Sequence, residues 1–350
     1  MKKTIIIILF LIGACVIYVN KNNNKTRLPS VIKPLIKVKN NKIVHRSSIF
    51  IPYWALGQGN YVNSSYDAYY YFGVALNQNG VIKTEPGYTG LAQFTCPKTK
   101  KCYLVIRMLD NEINKIILAN TTMQEKVIEQ TLDIADTYNF SGIALDLELS
   151  GMFNDEVTGQ TNSFVQSYYT SAKKNYKTLS FIVYGDNYFR KRPFNIKSIG
   201  AHADEIVIMA YDFHKSYGEP GPNFPFQDKN KWGYDFQQMI SDFSADIPSE
   251  KLTIIFGMYG YDWTLNEQGT PLKRGEAVTV SQINKILNSK PQTLNKSQNP
   301  ISKEKRIEYI DYENFKHVIY YEDEESARVK QDYLEGHGIG SISFWAWGYF

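Results

Sequence analysis

Eight short β-rich runs, several of them separated by amphipathic helical patterns, predict an α/β fold, a (β/α)8 TIM barrel. Strands that alternate with helices pair in parallel, and eight such units close into a barrel. The interval between runs seven and eight is much longer than the others, which predicts a small α+β insertion there. The predicted strands are Ser48–Trp54, Tyr69–Leu76, Cys102–Met108, Ser141–Glu148, Thr178–Tyr184, Glu205–Tyr211, Leu252–Met258 and Ile339–Trp345.

The intervals between these strands carry the remaining elements. In the long interval, Arg306–Tyr312 and His317–Tyr321 alternate like the two strands of a hairpin. We place the insertion at about residues 264–322, over the barrel mouth, and the barrel as a whole at residues 48–350. Helical periodicity predicts amphipathic helices at Met123–Tyr138, Asn162–Lys174, Asp235–Phe243 and Glu324–Glu335.

The front of the chain differs in charge from the rest. Residues 1–47 contain ten Lys or Arg and no Asp or Glu, which leaves 29 basic and 35 acidic residues from Ser48 onward. The net charge of +4 therefore hides a predicted domain with a net charge of −6, which argues against a nucleic-acid-binding surface. Two lysines precede an apolar run, so residues 1–19 are expected to form a signal peptide or a membrane anchor.

Residues 20–47 are rich in Asn and Lys and are expected to form an extended basic linker. We expect an extracytoplasmic protein, secreted or membrane-anchored, that contacts the membrane by its N-terminal segment only. The basic residues after the apolar run count against this orientation under the positive-inside rule, so the orientation stays open.

Cysteine usage is sparse. Cys96 and Cys102 flank a short polar loop, where they could pair as a disulfide in an oxidising compartment or stay as free thiols. The sequence has no Cys/His cluster with metal-ligand spacing and no glycine-rich phosphate loop, so neither a metal nor an organic cofactor is expected.

The most informative segment is Asn139–Glu148, which is β-prone and ends in two carboxylates two positions apart. Alternate side chains of a strand face the same side, so Asp146 and Glu148 share one face. The small residues Gly142 and Ala144 precede them on that face, and branched aliphatics occupy the other. Because the carboxyl ends of barrel strands carry the chemistry, the two carboxylates are expected at the barrel mouth.

Three motifs in strand order resemble glycoside hydrolase family 18, the chitinase-like enzymes. The fourth-strand motif of that family is Asp-Gly-x-Asp-x-Asp-x-Glu, and residues 141–148 keep its last two acidic positions. The sixth-strand motif Met-x-Tyr-Asp is complete at residues 209–212, and the aromatic signature of the eighth strand appears at residues 343–345. Residues 257–263 resemble the seventh-strand segment of the bacterial spore-cortex and cell-wall members, and residues 317–326 resemble their segment before the last helix.

The resemblance implies a retaining, substrate-assisted glycosidase, in which the N-acetyl group of the substrate attacks the anomeric carbon. Glu148 is then expected to protonate the leaving oxygen and afterwards to act as a base toward water. Asp146 is expected to orient the acetamide group and to stabilise the positive intermediate. Tyr211 is expected to hydrogen-bond the acetamide carbonyl, and Asp212 to support the same group. Trp345 is expected to stack against the sugar.

Further residues are expected around these catalytic positions. The substrate-binding residues predicted from the sequence are Trp345, Tyr259, Met209 and Trp54. Additional groove candidates are the aromatic residues Tyr53, Tyr184, Trp263 and Trp347, and the acidic residues Asp110 and Asp186, which follow the third and fifth strands.

The chain departs from the family pattern in two places. Ser141 and Ala144 stand where the fourth-strand motif has carboxylates. In the family, the carboxylate two positions before Asp146 helps to set the charge and rotamer of that residue, which Ala144 cannot do. The usual Ser-x-Gly-Gly at the end of strand three is also replaced, by residues 107–110. These departures favour a slower enzyme or one with an altered substrate.

The expected function is hydrolysis of β-1,4 bonds in N-acetylglucosamine-containing polysaccharides, with peptidoglycan as the first choice and chitin-type oligosaccharides as the second. The alternative is a non-catalytic barrel that only binds carbohydrate, because a fold can persist after its chemistry is lost. Lectin-like members of the family typically lose the acidic glutamate, so the presence of Glu148 favours the enzyme.

Overall fold

The computed structural model describes residues 43–151, 154–289 and 293–350. The predicted signal or anchor segment, residues 1–19, and residues 20–42 of the predicted linker lie outside the described residues. Within the described ranges, no helix is both long enough and apolar enough to cross a membrane.

Eight parallel strands form a closed barrel, which confirms the predicted fold class. The first strand pairs with the second and with the eighth, and these two pairings close the barrel. Each strand overlaps its predicted position, with ends shifted by a few residues. The strands are Arg46–Pro52, Ala68–Asn77, Lys101–Met108, Gly142–Leu147, Thr178–Tyr184, Glu205–Ala210, Leu252–Gly257 and Ser341–Trp345. A short strand, Gly80–Val81, pairs antiparallel with the second.

Helices fill most of the intervals between the strands, and the four predicted helices are present. One of them begins at Asp155, earlier than the predicted Asn162, because the Asn154 side chain caps it by accepting a hydrogen bond from the Val157 amide at 3.1 Å. The helices are Pro86–Thr89, Asn111–Leu118, Thr121–Thr137, Asp155–Lys174, Ile196–Ala201, Lys229–Trp232, Phe236–Asp246, Val280–Asn288 and Glu324–Gly336.

The two faces of the fourth strand are divided as the alternation predicts. Ile143 and Leu145 belong to the main apolar core between the strands and the helices. Ala144 belongs to a separate cluster inside the barrel. The face that carries Asp146 is therefore the inner face, which leads to the barrel mouth.

The lower part of the barrel interior is filled by aromatic rings. Tyr70 stacks between Phe50 and Tyr103, with ring centroids 4.8 and 4.7 Å away. Its hydroxyl donates to the buried carboxylate of Glu205 at 2.7 Å, and the Ser180 hydroxyl donates to the same oxygen at 2.8 Å. These hydrogen bonds offset the cost of burying Glu205. The filled lower part leaves the carboxyl ends of the strands as the place for a site.

The insertion between strands seven and eight is a five-stranded antiparallel sheet with one helix, which we call the insert sheet. The predicted hairpin is present in it, because Ile310 pairs with Lys316. The insert sheet begins at Tyr259 rather than at residue 264, because one residue separates the seventh barrel strand from the first insert strand. Its strands are Tyr259–Leu265, Glu276–Thr279, Thr293–Gln298, Lys305–Ile310 and Lys316–Tyr321.

Residues 259–263 therefore belong to the insert sheet and not to the seventh barrel strand, to which the sequence pattern assigned them. Gly260 lies against the neighbouring strand so closely that an added Cβ atom would stand 2.0 Å from the carbonyl oxygen of Tyr320. Only glycine fits such a contact. Near the start of the third barrel strand, Cys96 and Cys102 form a disulfide, with Cα atoms 6.0 Å apart.

Candidate active site

A cleft of about 310 Å³ opens at the carboxyl ends of the barrel strands. It brings together every site residue predicted from the sequence: Glu148, Asp146, Tyr211, Asp212, Trp345, Tyr259, Met209 and Trp54. The described part of the chain has no group of three His, Cys, Asp or Glu side chains that could hold a metal ion. The groups that line the cleft are carboxyl, hydroxyl, cationic and apolar side chains.

Asp146 lies on the inner face of the fourth strand and is only 3% exposed. Its Oδ1 atom makes no hydrogen bond to any residue that the structure describes. Burial raises the pKa of Asp146 well above its usual range, the negative charge of Glu148 raises it further, and the positive charge of Arg107 opposes both. Asp146 is thus a buried carboxyl with a free acceptor position.

Glu148 follows the end of the fourth strand, and its backbone is fixed on both sides. Its amide donates to the Met108 carbonyl at 2.8 Å, and the buried Asn114 amide donates to the Glu148 carbonyl at 2.8 Å. The Tyr184 hydroxyl donates to Oε2 at 2.7 Å. Burial raises the pKa of Glu148, whereas the hydrogen bond from Tyr184 and the charge of Lys215 lower it.

Asp146 and Glu148 form a pair whose titrations are linked. Asp146 is buried and Glu148 is half-buried, and the charge of Glu148 adds to the cost of ionising Asp146. Such a pair loses its protons in two steps, and the first loss makes the second harder. Between the two steps, one carboxyl holds a proton while the other is ionised. This is the state that combines a general acid with a stabilising negative charge.

Asp212 is held in a backbone conformation that non-glycine residues rarely adopt, with φ at 56°. Its amide donates to the side-chain oxygen of Asn223 at 2.8 Å. The hydroxyls of Tyr259 and Tyr261 both donate to its Oδ1 atom, the latter at 2.8 Å. These contacts hold the Asp212 carboxylate in one position at the cleft wall.

Asn223 is anchored in turn by buried charges. Its side-chain amide donates to the Gly257 carbonyl at 3.1 Å, and its backbone amide donates to Glu304. Lys330, in the last helix, donates to Glu304 at 3.0 Å and to Glu322. All three charged side chains are 0% exposed. We call Glu304, Glu322 and Lys330 the buried triad; it joins the last helix to the insert sheet and, through Asn223, to the cleft wall.

Aromatic rings form the apolar part of the cleft. Trp345 packs edge-to-face on Phe72, with ring centroids 4.7 Å apart, and lies at a shallow angle to the ring of Tyr211. Trp54 is 43% exposed and stands edge-on to Trp345. Burial raises the pKa of Tyr211 well above its usual range, so its hydroxyl stays a neutral hydrogen-bond donor. Aromatic rings beside hydrogen-bond donors are suited to bind a sugar, whose ring has an apolar face and whose substituents are polar.

Some of the additional candidates do not line the cleft. Trp263 is fully buried, because it belongs to the insert sheet. Asp110 caps the helix Asn111–Leu118, and its carboxylate accepts a hydrogen bond from the Glu112 amide at 2.9 Å. Asp186 does line the cleft, but Arg192 donates to it at 2.7 Å, so it is already neutralised. Tyr53 and Trp347 lie outside the lining as well.

Arg107 is the main cleft residue that the predicted site set omits. It lies on the third strand and pairs in register with Asp146 on the fourth. Its guanidinium lies over the rings of Phe72 and Tyr53, at 5.1 and 5.3 Å from their centroids. The only sequence signal for it is the loss of the usual Ser-x-Gly-Gly pattern at this position.

Other supporting residues carry weak signals or none. Tyr261 could have been found, because it lies two positions after Tyr259 on the same strand and so shares its face. Lys215 follows the Met-x-Tyr-Asp motif by three positions. Asn114 and Asn223 are ordinary asparagines in the sequence, and only the folded chain brings them to the cleft.

The chain is similar to known glycosidases in sequence and in fold. The family model Glycosyl hydrolases family 18 matches residues 109–349. The uncharacterized glycosylase YvbX of Bacillus subtilis is 25% identical over 246 residues, which are 68% of this chain and 66% of that protein. The cortical fragment-lytic enzyme of Bacillus anthracis is 23% identical over 289 residues, which are 79% of this chain and 64% of that protein.

The chain thus spans slightly less than two thirds of the length of these two relatives. Among solved structures, the class V chitinase of Nicotiana tobaccum superposes with a TM-score of 0.74 at 16% identity, covering 87% of this chain and 94% of that one. At this identity, the similarity concerns the fold of the barrel.

Proposed function

The chain belongs to glycosyl hydrolases family 18, and from this premise we propose that it hydrolyses β-1,4 bonds in N-acetylglucosamine-containing polysaccharides. The observation that carries the proposal is the carboxyl pair of buried Asp146 and half-buried Glu148, which lines the cleft at the end of the fourth strand. A barrel that only bound sugar would have no use for a carboxyl pair with raised pKa values, since burying carboxyl groups costs stability.

The proposed reaction retains the configuration at the anomeric carbon. The carbonyl oxygen of the substrate's N-acetyl group attacks that carbon, and Glu148 gives its proton to the departing glycosidic oxygen. Tyr184 already donates to Oε2 of Glu148, so the proton belongs on Oε1. In the second step, the Glu148 carboxylate takes a proton from water, and the water opens the cyclic intermediate.

Asp146 is proposed to hold the acetamide during this attack. Asp146 lines the cleft, and its buried Oδ1 atom has no partner among the described residues, so once a turn of the carboxyl brings this atom to the cleft it can accept a hydrogen bond from the acetamide N–H. Its negative charge would also stabilise the positive intermediate. Tyr211, a neutral donor, would bind the acetamide oxygen, and Asp212 would support the same group. Trp345 would stack against the sugar ring.

The order of substrates is also a proposal. Peptidoglycan comes first, because a relative of this chain is named a cortical fragment-lytic enzyme and residues 1–19 are predicted to be a signal or an anchor. Chitin-type oligosaccharides come second, since the fold is shared with a class V chitinase. We propose an extracytoplasmic location, where either substrate would be reached.

The test is product release by the full chain from purified peptidoglycan and from chito-oligosaccharides, analysed by mass spectrometry. Fragments that end in a reducing N-acetylglucosamine are expected from the native protein. Glu148→Gln should release none while it still binds oligosaccharide, because it keeps the shape but loses the acid. If neither protein releases fragments and both bind oligosaccharide, the alternative holds, and the barrel is a carbohydrate-binding protein.

A further inference from the structure

We propose that Arg107 is a positioning residue that supplies the countercharge to the carboxylate of Asp146, in a chain where Ala144 leaves the family's neighbouring carboxylate absent. This inference rests on the proposed function, because the charge of Asp146 matters only if the pair carries out the reaction. Arg107 lowers the cost of ionising Asp146, against the burial and the negative charge of Glu148, which both raise that cost.

Arg107 and Asp146 are direct neighbours on adjacent strands. They pair in register between the third and fourth strands, and both side chains line the cleft. Adjacent strands lie about 4.8 Å apart, so the two side chains leave their strands side by side. Val105 and Ala144, each two positions earlier, belong together to the cluster inside the barrel, which confirms that both strands turn the same face inward.

Arg107 is held so that its charge cannot move away. Its Nη1 atom donates to the Gly73 carbonyl at 3.3 Å and lies 3.5 Å from Glu85. Phe72 and Tyr53 present their ring faces to the guanidinium, which favours a cation there. The side chain is 15% exposed, so water screens its charge only weakly.

Arg107 and Asp146 each have a buried polar atom without a partner. The Nε atom of Arg107 and the Oδ1 atom of Asp146 are both buried and make no hydrogen bond to the described residues. Arg107 therefore acts on Asp146 through its charge and not through a direct hydrogen bond. Ala144 is fully buried, and its side chain has neither a charge nor a hydrogen-bonding group. The charged neighbour of Asp146 therefore comes from the third strand, as Arg107, and not from the fourth.

The other charged and titratable groups around the pair act mainly on Glu148. Arg107 is the one cation that counts among the causes of the Asp146 shift, whereas Lys215 and Arg192 act on Glu148. This arrangement gives each carboxyl its own cation, which makes a matched control possible. The groups that face the pair are Arg107 from the third strand, Tyr184 and Arg192 from the fifth strand and its following loop, and Tyr211, Asp212 and Lys215 from the sixth strand and its following loop. Arg107 also forms an ion pair with Glu85 at 3.5 Å, and this more exposed carboxylate stays in place in every variant below.

The proposal predicts that the two cations act on different limbs of the pH profile, and that loss of either charge moves its limb to higher pH. Activity requires the state with one proton, so kcat/KM should fall at low pH as the pair gains its second proton and at high pH as the pair loses its last one. Removing the charge of Arg107 raises the pKa of Asp146, so the low-pH limb should move to higher pH. Removing the charge of Lys215 should move the high-pH limb instead.

The experiment measures kcat/KM against pH for the full-length protein and for Arg107→Gln, Arg107→Lys and Lys215→Met. For Arg107→Gln, we expect the low-pH limb of the profile to shift to higher pH by roughly one pH unit. Arg107→Lys keeps the charge and should restore most of the native profile, and Lys215→Met should leave the low-pH limb in place. Thermal unfolding of each variant identifies one that has simply lost its fold.

A low-pH limb that is the same in Arg107→Gln as in the native protein would overturn the proposal, whatever happens to kcat. A second readout needs no turnover. Titration of the side-chain carboxyl carbons by NMR should show the lower apparent pKa of the pair raised in Arg107→Gln, and an unchanged value would also overturn the proposal. If the native protein hydrolyses nothing, the proposed function fails, while this titration still decides the role of Arg107.

Discussion

Two aspartates in the cleft, Asp146 and Asp212, are held in opposite ways. Asp212 accepts hydrogen bonds from two tyrosine hydroxyls, and its amide is tied to Asn223. Asp146 has a buried oxygen without a partner among the described residues, and its nearest strand neighbour is a cation, Arg107. One side of the cleft is thus fixed by hydrogen bonds and the other by charge.

This difference between the two aspartates indicates which of them a ligand should hydrogen-bond. An unpaired buried acceptor costs free energy, and a ligand that donates a hydrogen bond to it recovers that energy. Asp212 offers no such gain at the oxygen that the tyrosines occupy. We therefore expect Asp146 to respond to the substrate during the reaction, and Asp212 to serve as a rigid wall.

Of changes at the two aspartates and their supports, Asp146→Asn is expected to have the largest effect on turnover. The variant loses the negative charge that stabilises the positive intermediate, so kcat should fall by about a thousandfold. Its thermal stability should be equal to or higher than that of the native protein, because a buried charge is removed. Steady-state kinetics and thermal unfolding check both halves, and a variant with near-native kcat would contradict the role of Asp146.

On the fixed side, the largest effect on stability is expected from Lys330→Met. The change leaves Glu304 and Glu322 buried without their cation, so the free energy of unfolding should fall by about 3–5 kcal/mol near neutral pH. Denaturant titration measures this loss. Because the triad supports Asn223 and not Asp146, the low-pH limb of the kcat/KM profile should stay in place; a shift of that limb would show that the two sides are coupled.

The sequence predicts most of the fold of this protein, but it does not predict that the two aspartates are held in different ways. The eight strands follow from local alternation, and Asp146, Glu148 and Asp212 lie in local motifs. The start of the insert sheet was misplaced, because no turn signal separates it from the seventh barrel strand. The supports of Asp212 lie far apart in sequence: Asn223 and Glu304 are separated by 81 positions.

Arg107 illustrates a different limit of sequence reasoning. Its position was recognised as a departure from the family pattern, but an arginine on a strand gives no sign of what it will meet. Its role depends on strand register, which places it beside Asp146, and on the rings of Phe72 and Tyr53, which come from other parts of the chain. These are properties of the folded barrel.

A smaller effect, dependent on pH, is expected from the buried triad. Burial raises the pKa of Glu322 to about 7, although Lys330 lowers it. A carboxyl whose pKa is higher in the folded state contributes stability at low pH, below its pKa in the unfolded chain, and loses that contribution as the pH rises to about 7. In Glu322→Gln, the stability lost between low pH and about pH 7 should be smaller by about 1–3 kcal/mol. Denaturant titration at several pH values measures this loss. An equal loss in both proteins would mean that Glu322 does not titrate there.

The smallest effect is expected from Tyr261→Phe. Asp212 keeps its hydrogen bond from Tyr259 in this variant, so the loss should be about 1 kcal/mol of stability and only a few-fold in kcat. Unfolding and steady-state kinetics measure both. A loss as large as that of Asp146→Asn would mean that the fixed side of the cleft is not rigid but takes part in the reaction.

The most direct test of the account is whether turnover depends on the acetamide group of the substrate. The rates of the native full chain should be compared on chito-oligosaccharides and on cello-oligosaccharides of equal length, which have the same bonds but no N-acetyl group. Because the acetamide is the proposed nucleophile held by Asp146, we expect hydrolysis of the first series and a rate lower by at least about a thousandfold on the second. Similar rates on both series would contradict the account, since the nucleophile would then have to come from the protein.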